Sequence, residues 1–272
     1  MSFVVKDIDH NDRERCIWIE KYALPAIIYV DDVWDYFTSK RDGYFLGVFR
    51  DGELGGFGKL TRLFGDIGWL ETIRVHPDYQ EQGFGNELYI EYLKRAQELR
   101  INKIGMFTEF DNFRSKSLAE KYGFSKQGDF IDYTKDIDLA LDYQGSFKLI
   151  ENNANEIIKP LYDKMNNYVI LNKTFFPAID GLADELVKRK WAYQDDEGNF
   201  VVVGYRMQPH KAVYLGFYWG DLEKITPFVN DLGKQLGSKR ISAVRNKNDE
   251  KVEEELKAVG FGLGEEIITM WR

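Results

Sequence analysis

Cysteine is nearly missing from this chain: Cys16 is the only one in 272 residues. That excludes an internal disulfide framework and every zinc site built from several thiolates. Histidine is almost as scarce, and His10, His76 and His210 stand far apart without metal-ligand spacing, so no metal is expected. There is no basic surplus either. The net charge is -8, whereas a nucleic-acid binder presents a basic face, so no nucleic-acid partner is expected. No apolar run approaches the ~20 residues that span a bilayer, and Ser2-Phe3-Val4-Val5-Lys6-Asp7 lacks the charged-then-apolar layout of a signal peptide. Together these absences predict a soluble, cytoplasmic protein with no membrane partner. His10 is the base closest in sequence to Cys16, but it sits in a polar, turn-like stretch, which favours a packed cysteine over a catalytic thiol.

What is present is bulk. Hydrophobic residues make up 44% and include 19 Phe, 16 Tyr and 6 Trp, enough for two domains of ordinary size at this length. The first half reads as a short strand, Phe3-Val4-Val5, a helix over 11–22, and a second helix-like stretch from Pro25 to Ser39. Tyr44 to Phe49 is strand-like, Asp51-Gly52 is a hairpin-turn signal, and Ile67 to Val75 is a strand halted at His76-Pro77. From Phe84 the period becomes helical, with Phe84, Leu88, Tyr92, Ala96 and Leu99 on one face. A strand over 104–107, a helix over 115–122 stopped by Gly123, and a strand over 130–133 follow.

The second half repeats the plan. Strand 147–150 precedes helices over 154–169 and 179–190. A hairpin turns at Glu197-Gly198, then come strand 212–218, helix 222–236, strand 241–244, and helix 250–259 stopped at Gly260-Phe261. Matching landmarks lie about 140 residues apart, the mark of a tandem duplication. The fold class is therefore α/β of the α+β mixed-sheet kind, two domains in tandem with helices flanking each sheet. The join falls in the polar stretch Asp136 to Gly145, giving domains 1–140 and 141–272.

The most informative segment is Ile73-Arg74-Val75-His76-Pro77-Asp78-Tyr79-Gln80-Glu81-Gln82-Gly83-Phe84-Gly85-Asn86. A strand ends, a glycine-bracketed turn follows, and a helix begins with its free N–H groups facing outward, an arrangement suited to a pyrophosphate. A dinucleotide fingerprint would need glycine where Leu88 stands, and a nucleotide P-loop would need Gly-Lys-Ser/Thr. A tight turn with no ligand is the plain alternative.

Val75-x-Pro77 followed by Gln80-Glu81-Gln82-Gly83-Phe84-Gly85 resembles the acetyl-CoA motif of the GCN5-related N-acetyltransferase (GNAT) superfamily. Asn112-x-x-Ser115-x-x-Leu118 with Gly123-Phe124 resembles that family's downstream segment. The likeness covers roughly residues 1–135. It implies that main-chain groups of Ile73, Arg74 and Val75 pair with the pantetheine arm. It implies that Gln80, Glu81, Gln82, Gly83, Phe84, Gly85 and Asn86 wrap the pyrophosphate, and that Asn112 hydrogen-bonds the cofactor. The partners implied are acetyl-CoA, as co-substrate, and an amine acceptor; a homodimer is compatible with both.

The family mechanism is direct attack of a free amine on the thioester, so a base is wanted. Glu71, among Trp69, Leu70 and Ile73, shares a face with Ile73 and Val75 by period two, and desolvation would suit it to that role. Glu109 is the second candidate, and a water-mediated route is the third. The family's usual Tyr after the downstream Leu is replaced by Ala119; Tyr122 is the candidate acid, against a simple packing role. Trp18, Tyr22, Tyr29, Trp34, Tyr36 and Phe37, interleaved with Asp31, Asp32 and Asp35, read either as a wall for a cationic amine or as a helix with a wet acidic side. In the second half only Trp219-Gly220 separates strand from helix, too little for an amide cradle, so that domain is expected to be degenerate and without CoA. The expected activity is N-acetyl transfer from acetyl-CoA to a primary amine of a small molecule or peptide; a non-catalytic acyl-CoA-binding regulatory module is the alternative.

Overall fold

A computed structural model describes residues 2–25 and 27–272 and contains fourteen strands and eight α-helices among them. They form two compact units. Unit 1 comprises Met1–Phe107, Asn112–Lys126 and Met270–Arg272; unit 2 comprises Thr108–Asp111 and Gln127–Thr269.

Unit 1 carries β1 (Phe3–Asp7), β2 (Gly43–Arg50), β3 (Glu53–Phe64), β4 (Ile67–Val75) and most of β5 (Lys103–Glu109), ordered β1-β2-β3-β4-β5. The first three pairings are antiparallel and β4–β5 is parallel. Asp51-Gly52 does turn the β2–β3 hairpin: both residues have positive φ (54° and 85°), the geometry a two-residue turn needs. The helices are α1 (Arg13–Ala23), α2 (Trp34–Thr38), α3 (Phe84–Glu98) and α4 (Phe113–Lys121). Phe57 packs on Phe45, which meets Trp34 and Phe37 of α2. Its neighbour Gly58 points the other way, where a side chain would strike the Tyr92 hydroxyl of α3. Alternation along β3 thus puts α2 and α3 on opposite faces. The helix expected between Pro25 and Ser39 forms only over Trp34–Thr38, and Ala26 lies outside the described residues.

Unit 2 is ordered β14-β6-β13-β12-β11-β10-β7, with β6 (Ser125–Asp136), β7 (Lys148–Leu149), β10 (Ala192–Gln194), β11 (Phe200–Gly204), β12 (Ala212–Trp219), β13 (Arg240–Asn246) and β14 (Gly262–Trp271). Its helices are α5 (Ala154–Ile158), α6 (Leu182–Lys188), α7 (Leu222–Gln235) and α8 (Glu250–Ala258). Helix α7 buries Leu222, Ile225, Phe228 and Val229 against Val201, Val203, Val213, Leu215 and Ile241. As in unit 1, a parallel pair (β12–β13) follows an antiparallel hairpin (β10–β11).

Three expectations are corrected here. The helix over 154–169 ends at Ile158 and passes into a 3-10 helix (Lys159–Lys164) that Pro160 opens, since proline removes the donor an α-helix needs. Residues 168–177 instead make a hairpin of β8 (Tyr168–Leu171) and β9 (Thr174–Pro177), turned at Asn172-Lys173, both of positive φ. The helix over 179–190 is confined to α6. Strand β14, rich in β-branched Ile267-Ile268-Thr269, was not foreseen at all.

Candidate functional site

The site grows out of β4. Its parallel ladder with β5 covers only Ile67↔Lys103, Gly68↔Ile104 and Trp69↔Gly105, and β4 then continues to Val75 without that partner. On the other side, β4 follows β3 from Leu70↔Leu60 and Glu71↔Lys59, but the register slips before Arg74↔Phe57. Thr72 and Ile73 together face Gly58, which is a β-bulge. Thr72 sits there at φ 62°, an unusual left-handed backbone for a β-branched residue, and its hydroxyl shares a short hydrogen bond with that of half-buried Tyr29. The bulge corrects the period-two argument: Glu71 lies on the face of Arg74, not on that of Ile73 and Val75.

Glu71 is buried and accepts a short hydrogen bond from the Thr61 hydroxyl. Lys59, directly opposite it, is buried too and donates to the Phe37 carbonyl at 2.9 Å. Beyond the bulge, two β4 carbonyls are covered by the protein's own side chains. Arg74 Nη1 donates to Ile73 O (3.1 Å) and Gln80 Nε2 to Val75 O (3.0 Å). Those are interactions that an extended ligand arm lying along β4 can replace.

After Val75 a one-turn 3-10 helix, Pro77–Tyr79, leads into the glycine loop. Glu81 (φ 61°) and Gly83 (φ 97°) take the left-handed conformation, and Gly83 is the N-cap of α3 with no side chain capping it. Glu87 N is the first amide bonded back, to Gly83 O at 3.1 Å. The Phe84, Gly85 and Asn86 amides precede the first intrahelical bond and, with the helix dipole, form an anion site. Gly85 is already helical, and its lack of a side chain serves a different end: a Cβ there would lie 2.8 Å from Leu118 Cδ2 of α4. Three cations ring the loop. Arg114 reaches Glu81 (3.0 Å) and Gln80, Arg50 reaches Gln82 (2.7 Å), and Lys121 reaches Asn86 (2.6 Å). None of the three was singled out in the sequence, where Arg114 is an unspecified position two residues after Asn112.

The other expected residues fall as follows. Asn112 is the N-cap of α4, its Oδ1 accepting from Ser115 N at 3.0 Å. Tyr122 stacks on Tyr89 (5.0 Å between centroids), its hydroxyl 3.1 Å from Asn86 Oδ1; burial, with the Glu87 charge, pushes its pKa up. Those contacts brace the first turn of α3. Ala119 is fully buried. Glu109 is counted with unit 2, where its charge acts on Lys173 beside Asp132. Of the aromatic residues of 18–37, Tyr22 is exposed and Trp18, Tyr29 and Tyr36 are half-buried. Trp34 and Phe37 are core, Trp34 bonding His10 through its indole N–H (3.1 Å), while Asp31, Asp32 and Asp35 are exposed and Asp31 pairs with Arg13 at 2.6 Å. Trp18 stacks on buried His76 at 3.9 Å, and burial lowers the imidazole pKa. Cys16 is buried and its pKa is driven up, chiefly by burial, which leaves an inert thiol.

Unit 2 has the same strand geometry with the opening closed. The β12–β13 ladder runs from Ala212↔Arg240 to Tyr214↔Ser242 and stops. Past it, the Arg245 guanidinium donates to Leu215 O (3.0 Å), Gly216 O (3.2 Å) and Val244 O (2.8 Å). Helix α7 is capped by the Asp221 carboxylate, which accepts from Glu223 N at 2.9 Å. A carboxylate stands where α3 offers bare amides. Nothing in the sequence announced the Arg245 plug.

Residues 11–124 match the model of the Acetyltransferase (GNAT) family. The splayed parallel strands and the uncapped helix after the glycine loop lie inside the matched stretch. No curated protein matches the chain in sequence. Among solved structures, a candidate acetyltransferase from Pyrococcus horikoshii is 15% identical with a TM-score of 0.66, over 99% of this chain and 89% of that one. A GCN5-related N-acetyltransferase from Sphaerobacter thermophilus is 11% identical with a TM-score of 0.62, over 99% and 95%. A tandem GNAT protein from the clavulanic acid biosynthesis pathway is 13% identical with a TM-score of 0.59, over 100% and 98%. At such identities the likeness is one of fold, and it extends through both halves of the chain. No group of three or more potential metal ligands and no helix able to cross a membrane occurs among the described residues.

Proposed function

We propose that this protein is an acyl-CoA-dependent N-acyltransferase that acetylates a primary amine on a small molecule or peptide, using unit 1 alone. One observation carries the reading: β4 parts from β5 after Trp69 and leads directly to the uncapped α3 N-terminus at Gly83. The open strand edge at Ile73–Val75 suits the amide-rich pantetheine arm. The amides of Gly83 to Asn86, with Arg50, Arg114 and Lys121 around them, suit the diphosphate.

Glu71 is the base in this scheme. The amine nitrogen forms its bond to the thioester carbonyl carbon, the C–S bond breaks, and CoA leaves as the thiolate. The proton shed by nitrogen passes to Glu71, directly or through one water. Tyr122, tied to Asn86, is left as a brace, and no protein acid is required because a thiolate leaves readily. Arg245 and Asp221 support the view that unit 2 holds no CoA.

The second reading, a regulatory acyl-CoA-binding module, is favoured by one feature: Ala119 is buried where the family commonly has tyrosine. Free-thiol release from acetyl-CoA with panels of amines, polyamines, aminoglycosides and peptides separates the two. CoA binding without thiol release from any acceptor refutes catalysis; release with an acceptor refutes the module.

A further inference from the structure

We propose that the amine acceptor also carries a carboxylate, held by Arg74 on the face of β4 that bears Glu71. This inference deepens the acyltransferase reading and rests on it. Glu71 pairs across the sheet with Lys59 and Arg74 with Phe57. Those partners are two residues apart on β3, so the bulge returns Glu71 and Arg74 to one face, roughly 7 Å apart along the strand. It is the face on which Phe57 meets the α2 side of unit 1.

The Arg74 guanidinium lies 5.9 Å from the centroid of the Tyr29 ring. The charges of both Arg74 and Glu71 act on Tyr29, which places all three together. Of the donors of Arg74, Nη1 is engaged by Ile73 O, while Nε is buried and has no acceptor. Arg74 makes no ion pair among the described residues. A buried donor left without an acceptor is unfavourable, and a planar guanidinium fork is the best match for a carboxylate. The neighbouring acids do not supply one. Glu20 Oε2 accepts from the N–H groups of Tyr29 (3.1 Å) and Val30 (2.9 Å), no oxygen of Glu20 accepts from Arg74 Nε, and Asp31, Asp32 and Asp35 face solvent.

Between base and cation stands Thr72, whose strained backbone is pinned by the Tyr29 hydroxyl. Strain of this kind persists where a site over-determines the chain. Here it turns Glu71 and Arg74 to the same side. An amine delivered to Glu71 with a carboxylate on Arg74 describes an amino acid whose two groups are a few bonds apart. The other anion available to Arg74 is a phosphate of CoA itself, but the glycine loop already has three cations of its own.

The test uses a panel of α-, β- and γ-amino acids, each paired with its carboxamide. Calorimetry measures their binding to the CoA-saturated full chain, and thiol release measures turnover with acetyl-CoA. The expected result is a preference of at least tenfold for carboxylates. Arg74→Gln should erase it, raising KM for those members about ten- to hundredfold with the CoA Kd unchanged, and Arg74→Lys should restore part. Equal binding of acids and amides overturns the inference. So does a loss of CoA affinity in Arg74→Gln with the acceptor preference intact, which assigns Arg74 to the cofactor phosphates. Absence of thiol release from every member, with release from a carboxylate-free amine of the wider panel, overturns the inference and leaves the acyltransferase reading standing; absence from both panels refutes the acyltransferase reading, and the calorimetric preference still decides the role of Arg74.

Discussion

Gly83→Ala puts the glycine loop to a quantitative test. Gly83 sits at φ 97° and ψ -9°, and a Cβ there would meet only the Phe3 ring, at an ordinary 3.5 Å. The substitution therefore acts through backbone strain rather than a clash, at about 1–2 kcal/mol for a left-handed L-residue. Flanking Glu81 and Gln82 are exposed, so the unliganded loop can relax away from the strained angle. Binding must then restore it, and the strain appears as lost affinity: about five- to thirtyfold in the Kd for CoA. Gly52→Ala is the matched control. Gly52 has φ 85°, nothing lies within 4 Å of its Cβ, and it turns the β2–β3 hairpin. It should lower Tm and leave CoA affinity alone. Calorimetric titration of both variants decides the matter. A Gly83→Ala protein that binds CoA within twofold of wild type refutes the assignment of this loop to the diphosphate.

Glu71→Gln should lower turnover roughly a hundredfold, with CoA affinity unchanged and part of the rate recovered at high pH, where the amine deprotonates unaided; an unchanged rate at neutral pH removes Glu71 from the chemistry. His76 has its folded pKa lowered from 6.5 by burial, so the unfolded chain binds the proton more readily. Its contribution is present above about pH 6.5 and declines as pH falls toward the folded value. In His76→Asn, the drop in Tm between pH 7.5 and 5.5 should shrink; a drop as large as in wild type assigns the slope to other groups. Arg245→Met should destabilise the protein by about 2–4 kcal/mol, because three carbonyls lose their donor, and calorimetry should still count one CoA per chain. A second CoA in that variant would mean that the plug alone had kept the second slot closed.

Much of the architecture was legible because local rules and tertiary structure agree. Asp51-Gly52 can hardly do other than turn a hairpin, and the 3.6-residue spacing of Phe84, Leu88, Tyr92 and Ala96 can only serve a helix buried on one side. Gly123 and Gly260 end α4 and α8 with φ 83° and 90°, as their place after the last apolar residue suggests. Legibility failed where tertiary contacts overrode local pattern. Residues 154–169 have helical composition, yet Pro160 and the positive φ of Asn166 and Asn167 turn the chain toward the β8–β9 hairpin. The bulge at Thr72 is invisible in a string of strand-formers, so parity placed Glu71 on the wrong face. The turn into α3 was readable in sequence because its geometry needs glycine: Gly83 sits at φ 97° as the N-cap. The Arg74 and Arg245 arrangements were not, because what matters in them is which carbonyl a long side chain happens to reach.

The fate of Cys16 has a practical consequence. A sole cysteine that is buried and protonated will not consume an aromatic disulfide or a maleimide on the timescale of an enzyme assay. Thiol counted in a CoA-release experiment is then cofactor thiol, without a protein blank. The wild-type chain also serves as its own labelling background: a cysteine installed at exposed Glu81 would be the sole position to take up a fluorophore, at the lip of the loop proposed to hold CoA.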